Sequence, residues 1–176
     1  MRRGVIQITK EALTAIRSES RASSDGRETG GILLGHDSGE PGPVIITIAG
    51  DPGPRAHRSR SNFKRDLEHA SGLADAAYAK DGSVWLGEWH THPRGPASPS
   101  DRDVRTYRRF LLDVELDFPR VASLIVNPRD DTWRTVEVRG WIVGLATAGS
   151  TRRPTVTPCD VVPLPSTCVE ATDDCV

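Results

Sequence analysis

The run Val84-Trp85-Leu86-Gly87-Glu88-Trp89, followed at once by His90-Thr91-His92-Pro93, constrains this chain more than any other feature. A short run of mostly apolar and aromatic residues fits a buried strand. Residues two apart on an extended segment project to the same side, so a strand carried through the histidines aims both imidazoles one way. Residues 90–96 are expected to form the loop that leaves this strand, fixed by Pro93. Ser98-Pro99-Ser100-Asp101 then has the form of a helix start. Ser98 would be the N-cap, Pro99 the first helical residue, and Asp101 the acid that completes a capping box. Asp103 falls one turn inside that helix, eleven positions after His92, and its carboxylate can swing back toward the imidazoles. Two rigid elements thus deliver three metal-binding groups to one place.

Three nitrogen and oxygen ligands suit a catalytic zinc ion, whose fourth tetrahedral position is left to a water with its pKa lowered to about 7. Two imidazoles and a carboxylate also suit zinc better than the harder divalent ions. His90, His92 and Asp103 are therefore the expected ligands of one Zn2+ per chain. Asp101 competes with Asp103 for the third place, but its position in the capping box already employs it. Amide hydrolysis at such a site also needs a base. Glu88 has the parity to share a face with His90, and Glu28 lies just ahead of Gly30-Gly31, which suits close backbone approach at a site. The residues alone leave both open.

The rest of the chain alternates strand and helix patterns. Residues 5–8 read as a strand, with Thr9 capping a helix from 10 to about 20. Residues 31–35 and 44–48 read as strands around a turn. A proline- and arginine-containing surface loop spans 50–61. Phe63, Leu67, Ala70, Leu73, Ala74 and Ala77 then recur at helical spacing. Val104, Tyr107, Phe110 and Leu111 form the core face of the helix after the histidines, and residues 121–126 and 133–143 complete the strands. This interleaving predicts an α/β sandwich. Residues 148–176 turn to Thr, Pro, Ser and Asp and are expected to form a poorly ordered or loosely docked tail beyond a catalytic domain of residues 1–147.

With a formal net charge of −1, composition offers no reason to invoke nucleic acid or an anionic membrane as partner. No apolar run approaches the roughly 20 residues that span a bilayer. Arg2 and Arg3 have no apolar segment behind them, so a cytoplasmic protein is expected. Cys159, Cys168 and Cys175 fit no zinc-ribbon spacing and read as free thiols. Two other zinc hydrolase signatures fail. No His-Glu-x-x-His is present, and Pro158-Cys159 is followed by Val162 where a deaminase would carry its second cysteine.

These motifs together resemble the JAMM metalloproteases of the JAB/MPN family. That family's signature is a glutamate, then His-x-His-Pro, six residues, a serine, two residues and an aspartate. Here those places are held by Glu28, in Glu-Thr-Gly-Gly-Ile-Leu-Leu-Gly, and by His90, His92, Pro93, Ser100 and Asp103. Gly87-Glu88-Trp89 ahead of the histidines is similar to bacterial members, which occur beside ubiquitin-activation-like enzymes. The resemblance implies a single MPN-type layered sandwich, cytidine-deaminase-like, with a central mixed sheet flanked by helices. It implies Glu28 as general base and Ser100 as oxyanion donor, with Glu88 left solvated or orienting a histidine. The implied activity is zinc-dependent hydrolysis of the amide bond after the C-terminus of a ubiquitin-like protein. The implied partners are that protein or its conjugates and operon-encoded activating or conjugating enzymes, with residues 50–61 and 113–120 as the natural substrate contacts. The alternatives are a non-catalytic MPN scaffold, or a zinc peptidase acting on a sulfur-carrier protein or other peptide.

Overall fold

In a computed structural model, which describes residues 4–148 and 151–164, the chain builds nine strands and three helices among those residues. Their order is β1 (Gly4–Ile8), α1 (Lys10–Ala22), β2 (Gly30–Asp37), β3 (Val44–Ala49), β4 (His57–Arg58), β5 (Phe63–Lys64), α2 (Leu67–Asp81), β6 (Val84–Thr91), α3 (Asp101–Leu112), β7 (Val121–Pro128), β8 (Val136–Ala148) and β9 (Thr151–Pro163). Seven strands form one mixed sheet in the order β1-β3-β2-β6-β7-β8-β9, while β4 and β5 make a separate hairpin. The β1/β3 and β6/β7 pairs are parallel; β2 runs antiparallel to both β3 and β6.

Three apolar clusters hold helices to this sheet. Leu13 and Ile16 of α1 pack with Ile6, Ile8, Leu33, Ile46, Trp89 and Leu124. Ala70 and Ala77 of α2 pack on Ile32 and Leu34. Tyr107 and Leu111 of α3 pack on Val121 and Val143. Burying a large aliphatic side chain contributes roughly 1.5–3 kcal/mol, so these contacts carry most of what fixes the helices. The first helix begins as expected: Thr9 accepts from Ala12 N, and its own hydroxyl donates to Thr47 O.

The open layered sandwich is corrected to a closed barrel. The cause is β9, which pairs antiparallel with β8 and parallel with β1, joining what would have been two free edges. Residues 151–163 are therefore sheet, not a loose tail, and the expected domain limit at residue 147 falls inside a hairpin. Alternating Thr, Val and Pro hid a strand whose side chains are mostly exposed; only Cys159 is buried. Cys168 and Cys175 lie outside the described residues.

Two further elements differ from expectation. The second helix starts at Leu67 with Asp66 as its cap, not near Phe63, which pairs with Arg58 in the β4–β5 hairpin. Trp133 sits in a turn with φ of +57°, so the strand expected from 133 begins at Val136. Cutting the chain after Ala148 removes the strand that seals the barrel. That shortened protein should lose its cooperative thermal unfolding transition; an unchanged melting temperature would show that β9 is dispensable.

Candidate metal centre

The site forms where β2 and β6 meet. Gly30 pairs with His90 across the ladder, and a Cβ on Gly30 would lie 2.2 Å from Trp89 O and 2.8 Å from the His90 Cβ. Only glycine allows this approach, as the Gly-Gly pair suggests. Just beyond, Thr29 N donates to Thr91 Oγ1 at 2.9 Å, and Thr91 N donates to Thr29 O at 2.8 Å. Thr91 is thus the buried tie that sets Glu28 beside the histidine strand.

The two imidazoles are almost enclosed, with His90 6% and His92 7% exposed. Their Nε2 atoms lie 3.0 Å apart, and Asp103 Oδ2 is 3.4 Å from His90 Nε2 and 3.6 Å from His92 Nε2. Zinc bonds of about 2.0–2.1 Å in tetrahedral array place ligand atoms about 3.3 Å apart, so the sides of this triangle bracket the spacing such an ion requires. Nδ1 of His92 bonds to Pro96 O at 2.8 Å. Because a carbonyl only accepts, Nδ1 carries the proton and Nε2 is free to ligate. Asn127 holds the same loop, donating to His92 O at 2.8 Å and Gly95 O at 2.9 Å.

Charge at the triangle is strongly polarised. Burial opposes the Asp103 carboxylate, yet hydrogen bonds from His90, His92 and Ser100 outweigh it and hold the group far below the usual range. Burial likewise opposes a charge on His92, and the bonds to Asp103 and Pro96 outweigh it, raising its pKa. For Glu28 burial dominates and raises the carboxyl, against the pull of His90 and His92. A raised carboxylate is a stronger base, the direction that a proton acceptor requires.

The helix start is displaced by two residues from expectation. Ser100, not Ser98, caps α3, and Asp103, not Asp101, completes the capping box. Carbonyls of Gly95, Pro96 and Ala97 each accept a side-chain bond, from Asn127, His92 and Trp141, which holds this bent segment out of the helix up to Ser100. The Ser100 hydroxyl donates to Asp103 Oδ2 at 2.6 Å, as does its backbone N–H, also at 2.6 Å.

Glu28, His90, His92, Ser100 and Asp103 all line one cleft of about 1060 Å³. Residues Arg60 and Ser61 of the 50–61 loop reach it, whereas none of 113–120 does. Glu88 faces the cleft but is neither solvated nor bonded to a histidine; it is ion-paired with Arg65. Arg65 also stacks over Trp85, 5.2 Å from the ring centroid, and burial pulls its pKa down to about 10. Nothing in the sequence pattern marks Arg65, since its partner is 23 positions away. The same holds for Arg58, which donates to Glu28 O at 3.1 Å and Ser23 O at 3.2 Å. Of the other histidines, His36 and His57 are exposed, and His69 Nε2 lies 2.8 Å from Asp51.

Residues 9–155 match the family described as prokaryotic homologs of the JAB domain, and the chain belongs to that family. It is thus a bacterial-type JAMM/MPN domain. Among curated relatives, a probable metalloprotease, y4qB of Sinorhizobium fredii, is 32% identical over 109 residues, 60% of this chain and 66% of that protein. A CD-NTase/cGAS isopeptidase of Escherichia coli is 29% identical over 130 residues, covering 73% of this chain and 79% of the relative. The Pseudomonas aeruginosa protein of the same name is 33% identical over 70% of this chain and 78% of its own. In fold, the solution structure of DSY2949 from Desulfitobacterium hafniense superposes with a TM-score of 0.62 at 20% identity, over 91% of this chain and 93% of that one.

Three measurements follow from this geometry. Elemental mass spectrometry should find about one zinc per wild-type chain and little in Asp103→Ala. Zinc must displace a proton held at His92, so apparent affinity should fall as pH drops, beginning above that residue's ordinary value of 6.5. Glu88→Ala should cost about 3 kcal/mol in chemical denaturation by stranding buried Arg65, and Arg65→Met with Glu88→Leu should recover most of it.

Proposed function

We propose that this chain is a zinc-dependent isopeptidase or peptidase that hydrolyses the amide bond after the C-terminus of a ubiquitin-like protein. The observation that carries the reading is the triangle of His90 Nε2, His92 Nε2 and Asp103 Oδ2 at 3.0–3.6 Å, sharing a cleft with Glu28. The donor set fits zinc, with His90, His92 and Asp103 as its ligands. When bound, the ion supplies Lewis acidity, lowering the pKa of water and polarising a carbonyl.

Every other step belongs to the chain's own side chains. Glu28 accepts the proton of the attacking water and passes it to the departing amine. The Thr29 and Thr91 bonds and the Arg58 contact hold the backbone on either side of that carboxylate. Ser100 would donate to the developing oxyanion, and for this its hydroxyl must turn away from Asp103. A well-placed donor of this kind contributes on the order of 3 kcal/mol.

The amide class is supported by relatives that carry the names metalloprotease and isopeptidase. The word isopeptidase further supports a conjugate as substrate, and activating or conjugating enzymes as neighbours in function. Cleavage of ubiquitin-like fusions, read by gel shift and intact mass, is the direct test. Glu28→Ala should lose about 100-fold or more in turnover while retaining its zinc. Turnover that survives this change would transfer the base role elsewhere. A zinc-loaded wild type that cleaves only unrelated short peptides would replace the ubiquitin-like substrate with a general peptide.

A further inference from the structure

The cleft carries a charge asymmetry that the metal centre does not use. The whole chain has a formal net charge of −1, yet Arg60, Lys64, Arg94, Arg102, Arg105 and Arg109 are all exposed and all line the cleft. The acids lining it are Glu28, Glu88, Asp101 and Asp103. Of these, Glu88 is matched by Arg65, and Asp103 lies against the two histidines. Arg102 donates to the Ser61 carbonyl, and among the described residues none of the six cations forms an ion pair.

Five of these cations form two walls. Arg102, Arg105 and Arg109 recur at spacings of three and four, which sets them in one stripe about 10 Å long on α3. Like charges at those spacings oppose helix formation, so the stripe brings α3 no stability. Arg60 and Lys64 come from the β4–β5 hairpin opposite, which the Arg102 bond to Ser61 fastens to α3. The same cleft is also lined by Phe63, Phe110 and Leu67, the last 61% exposed.

A cation-walled groove with an apolar strip fits a chain that alternates carboxylates with an apolar anchor. We infer that the cleft binds an acidic, extended segment of its protein substrate, with carboxylates on Arg105, Arg109, Arg60 and Lys64 and an apolar side chain against Leu67. The inference rests on the peptidase reading for the arrival of a polypeptide, but its test reads binding and not cleavage. Single-stranded nucleic acid is the poorer fit because it stacks on exposed aromatic faces. Of the lining aromatics, Tyr107 is buried and Phe63 and Phe110 are half-buried.

The experiment is fluorescence anisotropy with the zinc-loaded full chain. The probe is a short fluorescein-labelled peptide alternating Glu and Ala around one Leu, compared with Gln and Lys versions and with an oligothymidylate. The Glu peptide should bind about tenfold more tightly than the Gln peptide at low ionic strength, with the advantage falling as salt rises. R105E/R109E and, on the opposite wall, R60Q/K64Q should each remove most of that advantage, whereas R152E/R153E on the β8–β9 hairpin should leave it. Circular dichroism confirms that each variant is folded. Equal binding of the Gln peptide, tighter binding of the oligothymidylate, or an advantage that survives both wall variants would each overturn the inference. The last result would mean that the metal itself captures carboxylates, and it would leave the hydrolytic reading intact.

Discussion

The exchange of backbone and side-chain bonds between Thr29 and Thr91 is the constraint on which the site depends. Glu28 and the histidines are more than sixty positions apart, and they can act together only if both stand at one cleft. The antiparallel β2/β6 ladder brings the strands together, but a ladder alone leaves the segment before Gly30 free to leave the sheet. Thr91 prevents that by accepting from Thr29 N while its own N–H reaches Thr29 O. Glu28 N donates to Ser59 O, and Arg58 holds the Glu28 carbonyl, so this residue is pinned from the hairpin side as well. Glycine at 30 is the steric condition for all of this, because any side chain there would collide with the Trp89 carbonyl.

A second layer of bonds converts the loop after His92 into a fixed bracket. Loops ordinarily buy freedom by leaving their carbonyls to solvent. Here three consecutive carbonyls, from Gly95 to Ala97, are each taken by a side chain from a different part of the molecule. The result is a connection with little room to move between the strand that carries both histidines and the helix that carries Asp103. His92 takes part on both sides of this arrangement, as a member of the triangle with His90 and Asp103 and as donor to Pro96. Its ring orientation is therefore set before any ion arrives, which lowers the reorganisation that binding would require.

How much of this was legible in sequence follows from how local each determinant is. The gathering of His90, His92 and Asp103 was readable because the two histidines share a face by strand parity and Asp103 is close in chain. The strands around residues 5–8, 31–35 and 44–48 and the helix after Thr9 were readable from periodicity and capping. Barrel closure was not, because β9 derives its pairing from β1 at the far end of the chain and buries little but Cys159. The helix cap was misplaced because Ser98 and Ser100 each precede an aspartate by three, and local pattern cannot rank two equal signals. Tertiary bonds from Asn127 and Trp141 decide between them. Arg65 was invisible for a similar reason: a cation beside a helix start looks solvated until its distant carboxylate partner is known.

That shift of cap has a chemical consequence. Had Asp101 closed the capping box, the Asp103 carboxylate would have been an independent side chain on the helix surface. Instead Asp103 Oδ2 accepts from Ser100 N and Oγ while standing 3.4 Å and 3.6 Å from the two imidazoles. One oxygen atom thus ends the helix and faces the metal position. Loss of an N-cap interaction typically costs about 1 kcal/mol, far less than loss of a ligand, so the two roles are separable in magnitude though not in space. Coupling them means that the start of α3 and the metal site order together. Any ion drawn to Oδ2 competes with the hydrogen bond from the Ser100 hydroxyl, the same group that must turn toward substrate. A single carboxylate oxygen therefore links the helix cap, the metal triangle and the hydroxyl proposed to meet the oxyanion.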